Sequence, residues 1–262
     1  MIVTDSIVHI DKSGFLRALE AARRAEEGNG AKSIGTMGEK TLHAVLKWYY
    51  EPDGSRHEIA VGNHIADIVG ESGVIEIQTR GLSRLKPKLT ELLALCRVTV
   101  VHPVLVSKRL ISVDASTGEI ISDRLSPKHG SLYSDMREMY ALREWLLHPR
   151  FTLKLPLLAA DEIRQFGVKT NRRKKQRTRR GEYVSDIVPT EILDEITLAE
   201  PEDYRILLPE GLPESFTAED FAQAASTDTV NARMAINLLV HVGLVEQAGT
   251  QGRRKIFRRR ET

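Results

Sequence analysis

Hydrophobic residues recur along the chain with two spacings, and each spacing predicts one kind of secondary structure. Apolar positions three and four residues apart predict helices over residues 13–27, 36–50, 84–96 and 133–147. Runs of β-branched and alternating residues between turn signals predict strands over residues 57–61, 64–69, 74–79 and 97–106, a hairpin near 116–118 and an extended stretch near 151–158. Together these elements predict an α/β domain that covers residues 1–168.

The sheet of this domain is expected to be mixed. Its first two strands are joined by Gly62 and Asn63, which favour a tight antiparallel hairpin. The strand at 74–79, the helix at 84–96 and the Val-rich strand at 97–106 follow one another, and this order predicts a crossover that leaves the two strands parallel. We therefore expect a mixed sheet that is flanked by helices.

The C-terminal part of the chain has the pattern of a second, smaller domain. Apolar positions at helical spacing predict helices over residues 217–225 and 227–242, and Thr217 with Asp220 resembles a capping box. Two short apolar stretches then flank a turn at 249–252. Helix, turn, helix and a two-stranded wing predict a winged-helix-like α+β domain over residues 201–262. Residues 169–200 between the two domains are interpreted as a basic linker and an acidic segment.

The formal net charge of +2 conceals two strongly basic blocks. Residues 169–180 hold eight bases and no acid, and residues 253–262 hold six bases and one acid. Such blocks bind phosphate backbones through charge and counterion release, whereas the alternative is a plain solvated surface. The block residues expected to contact nucleic acid are Arg172, Arg173, Lys174, Lys175 and Arg177 in the linker and Arg253, Arg254 and Lys255 in the wing. Arg233 is expected to join them, because the second helix of such a pair enters the major groove.

Cysteine usage and hydropathy predict where the protein resides. The single cysteine, Cys96, excludes an internal disulfide, and no stretch approaches the roughly 18 consecutive apolar residues of a membrane span. The N-terminus lacks the basic region and long apolar run of a secretory signal. These features predict a protein of the reducing cytoplasm that has no membrane partner.

Two carboxylates and one amide are predicted to share one face of an apolar sheet. Side chains alternate along a strand, so Glu76 and Gln78 point one way while Ile75 and Ile77 point the other. Asp67 lies on the neighbouring strand of the hairpin, within reach of Glu76. Carboxylates on an apolar sheet are costly to bury unless they are paired or bind a metal, and Mg²⁺ favours one or two carboxylates together with waters and a phosphate. The alternative is that both carboxylates face solvent on a half-exposed sheet.

A third carboxylate lies in the second predicted helix. Glu39 precedes Leu42 by three residues and Leu46 by seven, and this spacing places it on the apolar stripe of the helix. A glutamate on that stripe requires a partner, and a metal or water shared with Asp67 and Glu76 would supply one.

The order of these elements over residues 36–106 resembles the PD-(D/E)XK restriction-endonuclease-like superfamily, which includes restriction enzymes and Holliday-junction resolvases. The pattern GEKTLHAVLK, ADIV and IEIQTR also resembles an uncharacterised bacterial family. The resemblance to the superfamily implies that Asp67 and Glu76 bind Mg²⁺ or Mn²⁺, with the carbonyl of Ile77 as a third ligand. It also implies that Glu39 and Gln78 assist catalysis.

The chain departs from the superfamily at Gln78, where a lysine usually stands. Glutamine can hydrogen-bond the attacking water but supplies no positive charge. A minority of restriction enzymes carry glutamine at this place, and Lys40, Lys86 or Lys88 could supply the charge instead. The residues after the strand that are expected to contact phosphates are Arg80, Arg84 and Lys88.

The sequence therefore predicts a metal-dependent nuclease that hydrolyses phosphodiester bonds, with DNA as the favoured substrate. Two alternatives stay open: a catalytically inactive nuclease fold that binds DNA, and an RNA-binding protein that uses the basic run. Nucleases of this fold often act on two strands, so the resemblance also admits a homodimer.

Overall fold

The computed structural model of the protein describes residues 10–28, 40–166 and 183–260. Its helices are α1 (Lys12–Gly28), α2 (Lys40–Tyr50), α3 (Lys86–Leu95), α4 (Met136–Ala141), α5 (Ala218–Ala224) and α6 (Thr229–His241). Its strands are β1 (His57–Val61), β2 (His64–Gly70), β3 (Gly73–Ile77), β4 (Val98–Val101), β5 (Val104–Asp114), β6 (Ile120–Leu125), β7 (Phe151–Phe166), β8 (Tyr183–Leu198), β9 (Ser215–Phe216), β10 (Val245–Gln251) and β11 (Arg254–Arg259). None of the described helices combines the length and the apolar character that crossing a membrane requires.

Eight strands form a large mixed sheet. Hydrogen bonds link seven of them in the order β1-β2-β3-β4-β7-β5-β6, and β8 pairs with β7. Strands β2 and β3 are antiparallel, whereas β4 runs parallel to both β3 and the start of β7. The predicted mixed α/β sheet is confirmed: β2 and β3 are antiparallel, and the parallel strands β3 and β4 are joined through α3.

Contacts between Cα atoms group the chain into two compact units. The first unit consists of the described parts of Met1–Glu58, Leu105–His129 and Pro156–Ile196, and the second unit of those of Ile59–Val104, Gly130–Leu155 and Thr197–Thr262. These bounds differ from the predicted division at residues 168 and 200, because α4 packs against α6 and draws the C-terminal helices into the second unit.

In the second unit, α3 packs against the β3–β4 pair through one apolar stripe. Pro87 stands in the first turn of α3, where its missing N–H leaves no hydrogen bond unmade. Leu89, Leu92 and Leu93 are buried on the helix, and Val100 is buried on β4. Because these side chains leave the helix at i, i+3 and i+4 spacing, they hold one side of α3 against the sheet.

The predicted winged-helix-like arrangement closes the second unit. Strands β10 and β11 form an antiparallel hairpin, and β9 adds a third strand beside β11. Helix α5 begins at the predicted capping box of Thr217 and Asp220. Helix α6 begins at Asp228, whose carboxylate accepts hydrogen bonds from the N–H groups of Val230 and Asn231. Two capped helices followed by a hairpin thus reproduce the outline expected from the sequence.

Two predicted elements differ from the structure near the middle of the chain. The single strand predicted over 97–106 is divided into β4 and β5, because Pro103 has no N–H with which to continue the hydrogen-bonded ladder. The helix predicted over 133–147 is a 3-10 turn at Leu132–Asp135 followed by the short helix α4. Beyond α4 the backbone bonds span three residues, as between Trp145 N–H and the Leu142 carbonyl, so the chain tightens into successive turns.

The interpretation of the residues after 182 as linker and acidic segment was wrong. These residues form β8, a strand of 16 residues, and β7 likewise extends over 16 residues, beyond the stretch predicted near 151–158. Tyr183, Ser185 and Ile187 are buried, while Asp186 and Asp194 occupy less buried positions. The period of two that marks a half-buried strand is therefore present over residues 183–189, and acidic residues at less buried positions of the strand concealed it.

The predicted basic linker falls largely outside the described residues, and so do Arg172, Arg173, Lys174, Lys175 and Arg177. The chain on either side of it belongs to two paired strands. The Ser185 hydroxyl donates to the Ile163 carbonyl at 3.0 Å, and the Tyr183 hydroxyl donates to the Gln165 side chain. The basic run therefore joins β7 to β8 within the first unit.

A buried carboxylate also stabilises the first unit. Glu162 on β7 is 5% exposed, and its oxygens accept hydrogen bonds from Lys108 at 2.9 Å and from Arg164 at 2.5 Å. Burial alone would raise the pKa of Glu162, but the bonds from Lys108 and Arg164 hold it below its ordinary value of 4.5. The folded state thus favours the charged form of this carboxyl.

We predict that Glu162→Gln lowers the free energy of unfolding by about 3 kcal/mol at pH 7, because two cations lose a buried partner. A carboxyl whose pKa is lowered by folding contributes fully above its ordinary pKa and loses that contribution as the pH falls. The difference between variant and wild type should therefore shrink below about pH 4.5 in urea denaturation series. As a control, Glu191→Gln removes an exposed ion pair with Lys12 and should change little. A constant difference from pH 7 to pH 3 would contradict the prediction.

Candidate functional site

The candidate site is centred on Glu76, a carboxylate buried within the second unit. Glu76 lies on β3 and is 2% exposed. The register pairs Glu76 with Val100 of β4, so these two side chains point to the same face of the sheet. The interpretation of this carboxylate as a solvent-facing residue is therefore wrong: Glu76 faces the apolar side of the sheet, where a charge requires a partner.

Asp67 lies beside Glu76, as the hairpin predicted. The pairing of Ile68 with Ile75 brings Asp67 opposite Glu76 across β2 and β3. Asp67 is half-buried, and its Oδ2 accepts a hydrogen bond from the backbone N–H of Ile77 at 2.8 Å. The two carboxylates that the sequence assigned to a metal are thus neighbours.

Lys88 is the cation that Glu76 contacts. Its Nζ lies 2.6 Å from Glu76 Oε2 and also donates to the backbone carbonyl of Ile65 at 2.6 Å. Helix α3 carries this lysine in its first turn, and the helix stripe packed on the sheet directs it toward β3. The sequence offered Lys88 as one of three lysines that could replace the missing strand lysine, and this one reaches the carboxylate.

The electrostatics of Glu76 remain unbalanced despite this ion pair. Burial raises the pKa of Glu76 above its ordinary value, the hydrogen bond from Lys88 opposes the rise, and the nearby charge of Asp67 adds to it. The second carboxylate oxygen, Glu76 Oε1, is buried and has no hydrogen-bond partner. One oxygen of a charged, desolvated group is therefore left for a further ligand.

Gln78 contributes to this region mainly through its backbone. Its side-chain amide donates to the Arg80 carbonyl, and its own carbonyl lies 2.7 Å from Nδ1 of His102. Because a carbonyl only accepts, Nδ1 of His102 carries the proton in this contact. His102 is 2% exposed and its Nε2 is buried without a partner. The sequence gave no reason to single out His102, because no spacing signal linked it to Gln78.

Asp67 and Glu76 could supply two ligands to a divalent cation, and the other ligands of the cation would have to come from elsewhere. No group of three or more His, Cys, Asp or Glu side chains suited to a metal occurs in the described ranges. Glu39, the predicted third carboxylate, lies outside those ranges. Mg²⁺ commonly uses one or two carboxylates and completes its shell with waters and phosphate oxygens. The unpartnered oxygen of Glu76 and the adjacent Asp67 meet that minimal requirement.

The remaining predicted contact residues are exposed in the second unit. Arg80 and Arg84 lie on the surface after β3, on the segment that leads into α3. Arg233 is exposed on α6, and the three wing bases, Arg253, Arg254 and Lys255, are exposed at the turn and start of β11. All six side chains are thus accessible to solvent.

Comparisons with known proteins show that this chain matches one protein family and one relative. Residues 40–199 match the family described as "Domain of unknown function (DUF8091)". An uncharacterised protein of Treponema pallidum (strain Nichols) is 34% identical over 230 residues, which cover 87% of this chain and 88% of the relative. No solved structure matches the chain.

We predict that Lys88→Met lowers the free energy of unfolding by about 3 kcal/mol at pH 7, because it leaves the Glu76 charge buried without a cation. Adding Glu76→Gln to this variant removes the charge and should restore most of the loss. Lys86→Met serves as the control: it lies on the same helix, but its ion pair with Glu144 is considerably more exposed. Urea denaturation of five proteins measures these effects: the wild type, Lys88→Met, Glu76→Gln, the double variant and the Lys86→Met control. Purely additive losses from the two substitutions would show that Lys88 and Glu76 do not stabilise each other.

Proposed function

This chain belongs to the DUF8091 family, and we propose that it is a divalent-cation-dependent nuclease whose reactive centre contains Asp67, Glu76 and Lys88. The observation that supports the proposal most strongly is the buried Glu76 carboxylate, which has Asp67 beside it and one oxygen without a partner. A structural ion pair would need only one carboxylate and one lysine. A second carboxylate that raises the pKa of the first is a cost that a bound cation relieves.

Asp67 and Glu76 would hold Mg²⁺ or Mn²⁺, which as a Lewis acid lowers the pKa of a bound water and offsets charge on a phosphate. The chain's own contribution is positional. The bond from the Ile77 N–H fixes Asp67, and the bond from Lys88 fixes Glu76. Both carboxylates are therefore oriented before any ligand arrives, which avoids reorganisation during the reaction.

We propose that Lys88 supplies the positive charge that a lysine at the position of Gln78 supplies in the PD-(D/E)XK superfamily. Gln78 stands at that strand position but carries no charge, and its amide is engaged with the Arg80 carbonyl. The Lys88 ammonium lies 2.6 Å from Glu76 and supplies a positive charge beside that carboxylate from the following helix. A charge there can orient the attacking water and stabilise negative charge that grows on the phosphate.

Nucleic acid is the proposed substrate because exposed arginine and lysine side chains lie in the same unit as the site. Arg80 and Arg84 follow β3 directly, and Arg233 with the wing bases adds a second basic surface in the same unit. Arginines at exposed positions bind phosphate oxygens with little dependence on base identity. We favour DNA, since the helix pair and hairpin of the C-terminal part have the outline of a winged helix.

The test is cleavage of labelled single-stranded and duplex DNA and RNA by the full chain in Mg²⁺, in Mn²⁺ or with a chelator. We expect cleavage that requires the cation and that falls by about 100-fold or more in Asp67→Asn, Glu76→Gln and Lys88→Met. Glu71→Gln, in the exposed turn between the same two strands, should keep wild-type activity. Circular dichroism must show that each variant is folded at the assay temperature. Cation-dependent cleavage that survives in both carboxylate variants would contradict the assignment.

A second candidate is a nucleic-acid-binding protein that has lost hydrolysis. The observation in its favour is that Lys88 already neutralises Glu76, which is almost fully buried. In that case the protein binds DNA or RNA equally well with Mg²⁺ and with chelator, and neither condition yields cleavage. A thermal midpoint that rises with Mg²⁺ in the wild type, but not in Glu76→Gln, would favour the nuclease.

A further inference from the structure

A cavity of about 350 Å³ lies between the helix pair and the wing, away from the Glu76 centre in sequence and lined wholly by C-terminal residues. Helix α6 contributes Arg233 and Asn237 to its wall, and the hairpin contributes Arg253, Arg254 and Lys255. Its volume is at the lower end of the range for small-molecule sites, roughly 300 to 1,000 Å³. The cavity is therefore of a size for one small group rather than for a protein segment.

The charge around this cavity is strongly unbalanced. Four basic side chains and one acidic side chain, that of Glu219, line the cavity. Glu219 Oε1 lies 3.8 Å from Arg233 Nη2, and this ion pair is exposed. Farther along β11 the pattern differs, because Arg258 and Arg260 both bind Glu246, at 2.6 and 3.0 Å. Two arginines away from the cavity thus share one glutamate, whereas the cavity is lined by four basic side chains and one acidic side chain, an excess of positive charge that would stabilise an anion.

The floor of the cavity is apolar. Ala218, Ile236 and Phe257 line it, and each is at least nine-tenths buried. A bare phosphate would contact the cationic wall and leave this floor uncovered. A ligand that unites an anionic group with an apolar or planar group would contact both, and a nucleoside phosphate has that composition.

We propose that this cavity binds a single unstacked nucleotide, with its phosphate against Arg233, Arg254 and Lys255 and its base or sugar over the apolar floor. The nucleotide is supplied by a single strand or a strand end, since bases inside a duplex are stacked and cannot enter a cavity. This inference deepens the proposed function, on whose nucleic-acid substrate it rests. It assigns the wing region to strand capture rather than to duplex contact alone.

The test measures binding of a fluorescent ten-nucleotide oligo(dT) by anisotropy, with chelator present so that no hydrolysis occurs. Arg233→Gln and Arg254→Gln should each weaken binding about tenfold, since each removes a charge-assisted phosphate contact. Arg258→Gln is the matched control on the same strand and should weaken binding less than twofold. Asn237→Trp fills the cavity without changing its charge and should weaken binding to the single strand about tenfold, while binding to a duplex of the same length persists.

Equal losses of oligo(dT) affinity in Arg254→Gln and Arg258→Gln, or wild-type affinity in Asn237→Trp, would contradict binding in the cavity and indicate only nonspecific electrostatic attraction. Competition by unlabelled dTMP tests whether the cavity also binds a free nucleotide or requires a nucleotide that is part of a strand. If dTMP competes with the oligonucleotide in the wild type but not in Asn237→Trp, a free nucleotide is sufficient for binding. If dTMP does not compete in the wild type, while Asn237→Trp still weakens oligonucleotide binding, the nucleotide must be part of a strand. Because the assay contains no divalent cation, failed cleavage with intact cavity binding rejects only the nuclease, and the reverse result rejects only the cavity.

Discussion

A carboxylate that is removed from water must be paired or protonated, and this constraint governs the arrangement around Glu76. The Lys88 ammonium contacts one oxygen of Glu76, and the nearby Asp67 adds a second negative charge. A fold that required only stability would gain by replacing such a cluster with apolar side chains of similar volume. The presence of two adjacent carboxylates and one lysine beside buried apolar side chains is the reason to assign them a chemical role.

The fold positions these three side chains with few elements. The β2–β3 hairpin brings Asp67 opposite Glu76, and the crossover through α3 returns Lys88 to the same face. Two of the side chains are fixed by hydrogen bonds to the backbone: Asp67 accepts one from the Ile77 N–H, and Lys88 donates one to the Ile65 carbonyl. Lys88 in turn fixes Glu76. A site built on strands and a packed helix is held more precisely than a site on loops.

Much of this region could be predicted from the sequence, because the signals there are local. Alternation along Glu76-Ile77-Gln78 assigned the faces, and Gly62-Asn63 marked the turn between β1 and β2. The selection of Lys88 among three lysines could not be predicted, because it depends on how α3 packs against the sheet. The strand β8 was missed for another reason: three of its four acidic residues occupy less buried positions among buried ones, and so many acids were mistaken for a solvated segment. The break at Pro103 was a local signal that the Val-rich run concealed.

The most direct test of the central claim is the anomalous scattering of Mn²⁺ in crystals of the full chain, measured with and without the cation. We expect one peak bonded to a carboxylate oxygen of Asp67 and to one of Glu76, at about 2.1 Å from each. Crystals that show no peak at these residues at millimolar Mn²⁺, with Lys88 still alone on Glu76, would contradict the account and leave a buried structural ion pair.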